Sequence, residues 1–287
     1  RWHRDQGRPA TVPVGPGPQG ITFDGSNIWV AVTGTGQGNG ELAKIDPTSQ
    51  AVLATVPVGG QPRGLASDGR YVWVANVGSS TVQRVDPTTN SVTATISVPS
   101  GPTALVYDGT NIWAAGYTGG KLVRINASTL AAFPFDAAGV GVRALAFDGT
   151  YVWAACELCD SVVRYDPATA NADGGLTIGA PFGLAFDGES MWVTSETTGS
   201  VLQVDATSLA VLRSIPTGDL PRGVTYDGSS VWVTNYGTND VTKIDPTTGE
   251  VKARIAVGTG PRWSTFDGTS VWVTNGSSSS ASKIRSR

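Results

Sequence analysis

Seven times along the chain an apolar segment runs into Asp-Gly, then two or three mostly polar residues, then an aliphatic-Trp pair. The phrase reads FDGSNIWV from Phe23 and SDGRYVWV from Ser67, and recurs from Tyr107, Phe147, Phe186, Tyr226 and Phe266. Its aspartates, Asp24, Asp68, Asp108, Asp148, Asp187, Asp227 and Asp267, are spaced by 44, 40, 40, 39, 40 and 40 residues. A period near 40 residues is the mark of a repeat architecture.

One repeat shows what the pattern builds. Gly64–Ser67 reads as a short first strand. Asp68-Gly69 supplies a turn, because Gly accepts positive φ and Asp hydrogen-bonds its own backbone. Tyr71–Asn76 is almost continuously apolar, as a strand covered on both faces must be. Gly78-Ser79-Ser80 turns the chain into a third strand, Thr81–Val85. Asp86-Pro87-Thr88-Thr89-Asn90 has the residues of a type I turn, and it recurs as DPTTG from Asp245, DPTSQ from Asp46 and DPATA from Asp166. Val92–Val98 alternates apolar and polar, which suits an outermost fourth strand.

Four antiparallel strands per 40 residues make a propeller blade. No stretch carries a 3.6-residue period of useful length, so the chain is predicted to be all-β: one seven-bladed propeller over residues 1–287, with an N-terminal tail at 1–8. One Trp per repeat (Trp29, Trp73, Trp113, Trp153, Trp192, Trp232, Trp272) falls at the same strand position, where blade-to-blade packing is its expected task. The seventh repeat stops after its third strand, Ser282–Arg285. Its missing partner is expected at the other end, where PATVPVG (9–15) matches ATVPVG (54–59), so that Ala10–Val14 closes the ring.

Composition agrees. Charged residues are 15% and Gly is 37 of 287, a balance for short strands and many tight turns. The net charge of −3 offers no field for nucleic acid or an anionic membrane, and no apolar run is long enough to span a bilayer. The first residue is Arg1 rather than Met, so the chain is expected to be a processed product, exported or extracellular, or the ectodomain of a larger protein.

The phrase VWVTNYGTNDVTKIDPTTGEVKARIAVGTGPR (231–262) resembles the bacterial YVTN-type propeller repeat, and is similar to the wider group of virginiamycin B lyase-like and NHL-repeat propellers. The resemblance covers nearly the whole chain and speaks for fold rather than function. It implies a lyase, a surface-layer module or a sensor ectodomain. The lyase chemistry implied by the resemblance needs a funnel histidine with acidic partners and magnesium. The one histidine here is His3, ahead of the first blade, so no catalytic or metal-binding residue is carried over and no cofactor is expected.

Function should sit where near-identical blades diverge. The residue after the inter-blade Pro, or its equivalent, is Gln19, Arg63, Thr103, Arg143, Phe182, Arg222 and Arg262. The second strand ends on Val32, Asn76, Gly116, Cys156, Ser195, Asn235 and Asn275, followed by Thr33, Val77, Tyr117, Glu157, Glu196, Tyr236 and Gly276. If these sets converge on the axis, Arg63, Arg143, Arg222 and Arg262 form a polar funnel. Asn76, Asn235, Asn275, Tyr117, Tyr236 and Trp263 would supply its hydrogen bonds and stacking surfaces. Glu157 and Glu196 would either line the site or pair with the arginines and cancel it. A small anionic or carbohydrate ligand, or a protein partner, is the expected occupant, and the chain a monomeric binding module. A funnel lyase or hydrolase using Glu157 or Glu196 is the alternative.

Two further features complete the reading. Lys44, Arg84, Arg124, Arg164, Gln203, Lys243 and Lys283 recur on the third strand and read as structural or solvated. Cys156 and Cys159 are too few for a zinc site, and a strand rather than a helix follows them, so a disulfide at a hairpin tip is expected. The first blade carries an insertion, TGTGQGNGE (33–41), on the same face.

Overall fold

A computed structural model describes residues 9–35, 38–99, 101–136 and 139–287, without the side chain of Asn39. His3 and the tail at 1–8 lie outside the described residues.

The 28 strands among the described residues form seven antiparallel sheets of four, six of them meanders of consecutive strands. Blades one to six occupy residues 18–60, 62–97, 102–136, 142–177, 181–216 and 221–256. The seventh combines the strands Pro261–Phe266, Ser270–Asn275 and Ser280–Arg285 with Ala10–Pro13 from the other end of the chain. Ala10 pairs with Lys283 and Pro13 with Ser280, so the N-terminal strand closes the ring. Among the described residues the one helical element is a single 3-10 turn, Glu157–Cys159.

The alternation read from the sequence appears as burial. The second strands are sealed on both faces, as in Val72–Asn76, while the fourth strand Ser91–Ser97 alternates between exposed and half-buried. All seven blade tryptophans are fully buried, and the hydrophobic clusters lie between neighbouring blades. Trp73 and Ala75 of blade two pack with Ile112, Ala114 and Ile125 of blade three. Trp272 and Ala281 pack with Val12, Val14 and Val30 across the closure.

Each tryptophan also has a polar bond. Its indole N–H donates to the Asp of its own Asp-Gly turn, at 2.6–2.8 Å in every blade. The other carboxylate oxygen of that Asp accepts two backbone N–H groups of the turn, as Asp227 does from Ser229 and Ser230. Five residues separate the pair in all seven copies, so one side chain fixes both the turn and the buried ring.

The third-strand cations prove to be inter-blade staples. Lys44 Nζ donates to the Pro87 carbonyl in the next blade's Asp-Pro turn, Arg124 to Pro167, Lys243 to Ser286 and Lys283 to Pro47. Each cation also lies over its own blade's tryptophan, at 4.8 Å for Lys243 and 5.5 Å for Lys283.

Candidate functional site

The funnel is built by an irregularity common to every blade. In each first strand the pairing with the second strand slips just after the opening residue: between Pro62 and Leu65, Val142 and Ala144, Pro221 and Val224, Pro261 and Ser264. A bulge of this kind re-aims a side chain. Arg63, Arg143, Arg222 and Arg262 all stand inside it. The following residue is glycine in blades one, two, five and six because adjacent first strands nearly touch around the axis. A Cβ on Gly183 would lie 2.1 Å from the Arg222 carbonyl oxygen.

The bulges need their loose backbone groups satisfied. Thr194 accepts from the Gly183 N–H and donates to the Arg222 carbonyl, both at 2.7 Å. Thr234 does the same for Gly223 (2.8 Å) and Arg262 (2.9 Å). These buried threonines hold the backbone that carries two of the arginines. The sequence signal for them was present: blades five to seven read Trp-Val-Thr where blades one to four read Trp-Val-Ala or Trp-Ala-Ala.

The arginines divide into two kinds. Arg143 Nε donates to Glu157 at 2.5 Å and its Nη2 to the Tyr117 hydroxyl at 3.1 Å, while that hydroxyl lies 3.2 Å from the same carboxylate. Arg222 Nε donates to Glu196 at 2.8 Å, and its guanidinium lies 3.7 Å from the centre of the Tyr236 ring. Arg63 and Arg262 form no ion pair among the described residues. Arg262 is half-buried over Gly276, with its guanidinium 5.3 Å from the Tyr236 ring, and its Nε is sealed from solvent without a hydrogen-bond acceptor.

Their titration reflects this crowding. Burial lowers the Arg262 pKa from the usual value, the Arg222 charge lowers it further, Tyr236 partly opposes, and Arg63 and Arg143 add to the lowering. Burial, then the Arg143 charge, lowers Arg63 in the same way. Burial raises the Tyr117 hydroxyl, with Arg143 opposing and Glu157 reinforcing. Four guanidiniums face two carboxylates, so two positive charges stand uncompensated on a half-buried rim.

Beneath the rim lies a cavity of about 150 Å³ between the first strands, walled by Leu65, Leu105, Leu145, Leu184 and Val224. Trp263 stands among these strands, with its ring 5.4 Å from that of Phe182 in blade five. The sequence pattern marked Trp263 as a stacking surface but left Phe182 out. Phe182 lies 5.3 Å from Arg143 and 5.1 Å from Arg222, and so joins both ion-paired arginines.

The asparagines are placed differently. Asn76, Asn235 and Asn275 are fully buried and give their amide hydrogens to third-strand side chains. Asn235 Nδ2 donates to Asp240 (2.6 Å) and Thr242 (2.8 Å); Asn275 and Asn76 make the equivalent bonds to Ser280 and Ser282 and to Thr81 and Gln83. Their side chains lie under the loop joining blades: a Cβ on Gly218 would come within 2.7 Å of Asn235. They support that loop and do not reach the rim.

Cys156 and Cys159 are joined by a disulfide across the 3-10 turn that begins with Glu157. The bridge therefore fixes the backbone carrying the carboxylate that holds Arg143. Of the blade-one insertion, residues 36 and 37 lie outside the described residues. Its end, from Asn39, belongs to the third strand, and Thr33 Oγ1 donates to the Gly17 carbonyl at 3.0 Å.

No family model matches the sequence, and no curated protein matches it. Solved structures do match in fold. A chain of hydrazine synthase from Kuenenia stuttgartiensis aligns with a TM-score of 0.83 at 20% identity, covering 94% of this chain and 96% of that one. Virginiamycin B lyase from Staphylococcus aureus aligns at 0.80 and 16% identity, covering 96% and 98%. The WD40 propeller domain of Doa1 aligns at 0.80 and 11% identity, covering 98% and 97%. At these identities the likeness is one of fold alone: a β-propeller shared with a hydrazine synthase chain, a lyase and a WD40 domain.

Proposed function

We propose that the protein is a non-catalytic recognition module whose funnel binds a small anionic ligand, such as a phosphate, a carboxylate or an acidic sugar. The observation that carries this is the unequal pairing of the rim arginines. Glu157 and Glu196 occupy Arg143 and Arg222, whereas Arg63 and Arg262 keep their charges half-buried with no ion-paired carboxylate among the described residues. A ligand oxyanion would relieve the repulsion among the guanidiniums. The half-buried rings of Tyr117 and Tyr236 would flank a sugar ring.

A funnel-site lyase or hydrolase is the second reading. It would need Glu157 or Glu196 as an acid or base, and both are held by arginines. Export to an oxidising compartment is supported by the Cys156–Cys159 bridge.

The test is a thermal-shift screen of anionic metabolites and acidic glycans against neutral sugars. Stabilisation by anions that is lost in Arg262→Ala supports the reading. Equal responses to neutral sugars and anions, or turnover of any hit by mass spectrometry, would replace it.

A further inference from the structure

The third-strand staple is present in six blades and broken in one. Where Lys44, Arg84, Arg124, Arg164, Lys243 and Lys283 stand over their tryptophans, blade five has Gln203, opposite Trp192. Among the described residues Trp192 is the one blade tryptophan with no cation over its ring.

The staple's other end is still occupied, but from elsewhere. Gln203 lies 43 residues before Pro246, the same separation as between Lys44 and Pro87. The turn there accepts instead from Arg213, whose Nη1 lies 2.6 Å from the Thr247 carbonyl oxygen and 3.4 Å from that of Pro246. Arg213 pairs with Gln203 in the neighbouring strand, where blades one, two, six and seven have alanine opposite the cation. The guanidinium has thus moved one strand outward and reaches the turn from outside.

The surface beside Gln203 is open. A cleft of about 830 Å³ lies there between blades five and six, with Asp187, Glu189, Gln203 and Tyr226 among its walls and Leu212 and Arg213 at its outer side. Gln203 donates to Ser190 at 3.1 Å, and its Oε1 is sealed from solvent with no hydrogen-bond partner among the described residues. The lining carries two carboxylates, Asp187 and Glu189, against one cation, Arg213. Arg213 is engaged by the turn carbonyls.

We propose that the cleft between blades five and six is a binding site for an organic cation: the ammonium of an alkylamine or lysine side chain, or a guanidinium. The cation would stand beside Gln203, at the position where the other blades carry their own Lys or Arg, with Glu189 and Asp187 as counter-charges and the Tyr226 ring beside it. This site lies at the rim that carries the Asp-Gly and Asp-Pro turns, not in the funnel.

The probes are putrescine, agmatine and a capped Gly-Lys-Gly peptide, titrated by calorimetry into the full chain at low and high salt. At least one is expected to bind, more weakly at high salt. Binding of the free amines alone would indicate a small-molecule ligand, and of the peptide alone a protein partner. Gln203→Lys restores the sevenfold pattern, fills that position and is expected to weaken binding by about tenfold or more. Glu189→Gln, on an exposed residue, is expected to weaken it by about threefold, and serves if Gln203→Lys does not fold. Arg262→Ala is expected to leave this binding unchanged. No binding of any probe at millimolar concentration, or affinity unmoved by both Gln203→Lys and Glu189→Gln, would overturn the proposal.

Discussion

The indole nitrogen of Trp232 lies 2.7 Å from the Asp227 carboxylate, inside the wall between blades six and seven. The carboxylate's other oxygen accepts the N–H groups of Ser229 and Ser230 at 2.8 and 2.7 Å. Removing it takes the acceptor from four donors, the Ser229 hydroxyl included, one of them on a fully buried side chain. Asp227→Ala is therefore expected to cost about 3 kcal/mol or more, and Trp232→Phe about 2 kcal/mol through the lost charged bond and lost volume. Urea unfolding curves check both. A loss below about 0.5 kcal/mol in Asp227→Ala would show that the ring packs without its bond.

The same aspartates set the acid limit. Burial pushes the Asp227 and Asp267 carboxyls up, but bonds from the indole, the turn hydroxyls and the turn backbone outweigh it and hold both below the ordinary 3.8. A carboxylate lowered on folding adds stability above its unfolded pKa, and that stability is lost as pH falls through the folded one. The melting temperature should therefore change little between pH 7 and about 5 and drop steeply below about 4. Asp227→Asn should flatten part of that drop. Circular dichroism melts across pH give the comparison.

Ring closure can be separated from ordinary blade packing. Lys283 bonds the Pro47 carbonyl across the closure, and Lys243 makes the equivalent bond to Ser286 within the ring. Lys283→Met and Lys243→Met should each cost about 1 kcal/mol. Deleting residues 1–15 removes the strand paired with Ser280–Arg285, uncovers Val12's neighbours and leaves a free sheet edge. That deletion should lower the melting temperature sharply or cause aggregation. An equally stable, monomeric product would contradict closure by the N-terminal strand.

The fold was legible because a repeat multiplies each weak signal sevenfold. Asp-Gly, the buried Trp strand and Asp-Pro recur in register, and the unpaired seventh repeat points to its partner at the other end. The constant five-residue interval from Asp to Trp was equally visible, but a hydrogen bond across a hairpin is a fact of geometry that composition does not carry. The third-strand cations read as structural or solvated, and the sequence does not choose between the two, because their acceptors are backbone carbonyls of the next blade, which no side-chain pattern reveals.

The funnel was legible in part. The residue after the inter-blade Pro stands where blades diverge, and its bulge does bring the four arginines together with Tyr117, Tyr236, Glu157 and Glu196. The asparagines ending the second strand sit one residue earlier than these tyrosines and glutamates. In a strand one residue is one change of face, which turns Asn76, Asn235 and Asn275 into the blade. Which arginines would be neutralised depended on reach between neighbouring blades, so only the structure separates Arg143 and Arg222 from Arg63 and Arg262.

That separation gives the central claim its most direct measurement: titration of inorganic phosphate, citrate and glucuronate into the wild type, Arg63→Ala, Arg262→Ala and Glu196→Gln. The account predicts that at least one of these anions binds. Each arginine loss should weaken that binding by about tenfold or more, in keeping with a charge-assisted contact. Glu196→Gln should tighten it by freeing Arg222. No binding by any of the three anions, or an affinity unchanged in both Arg63→Ala and Arg262→Ala, would contradict a funnel built around those two uncompensated charges.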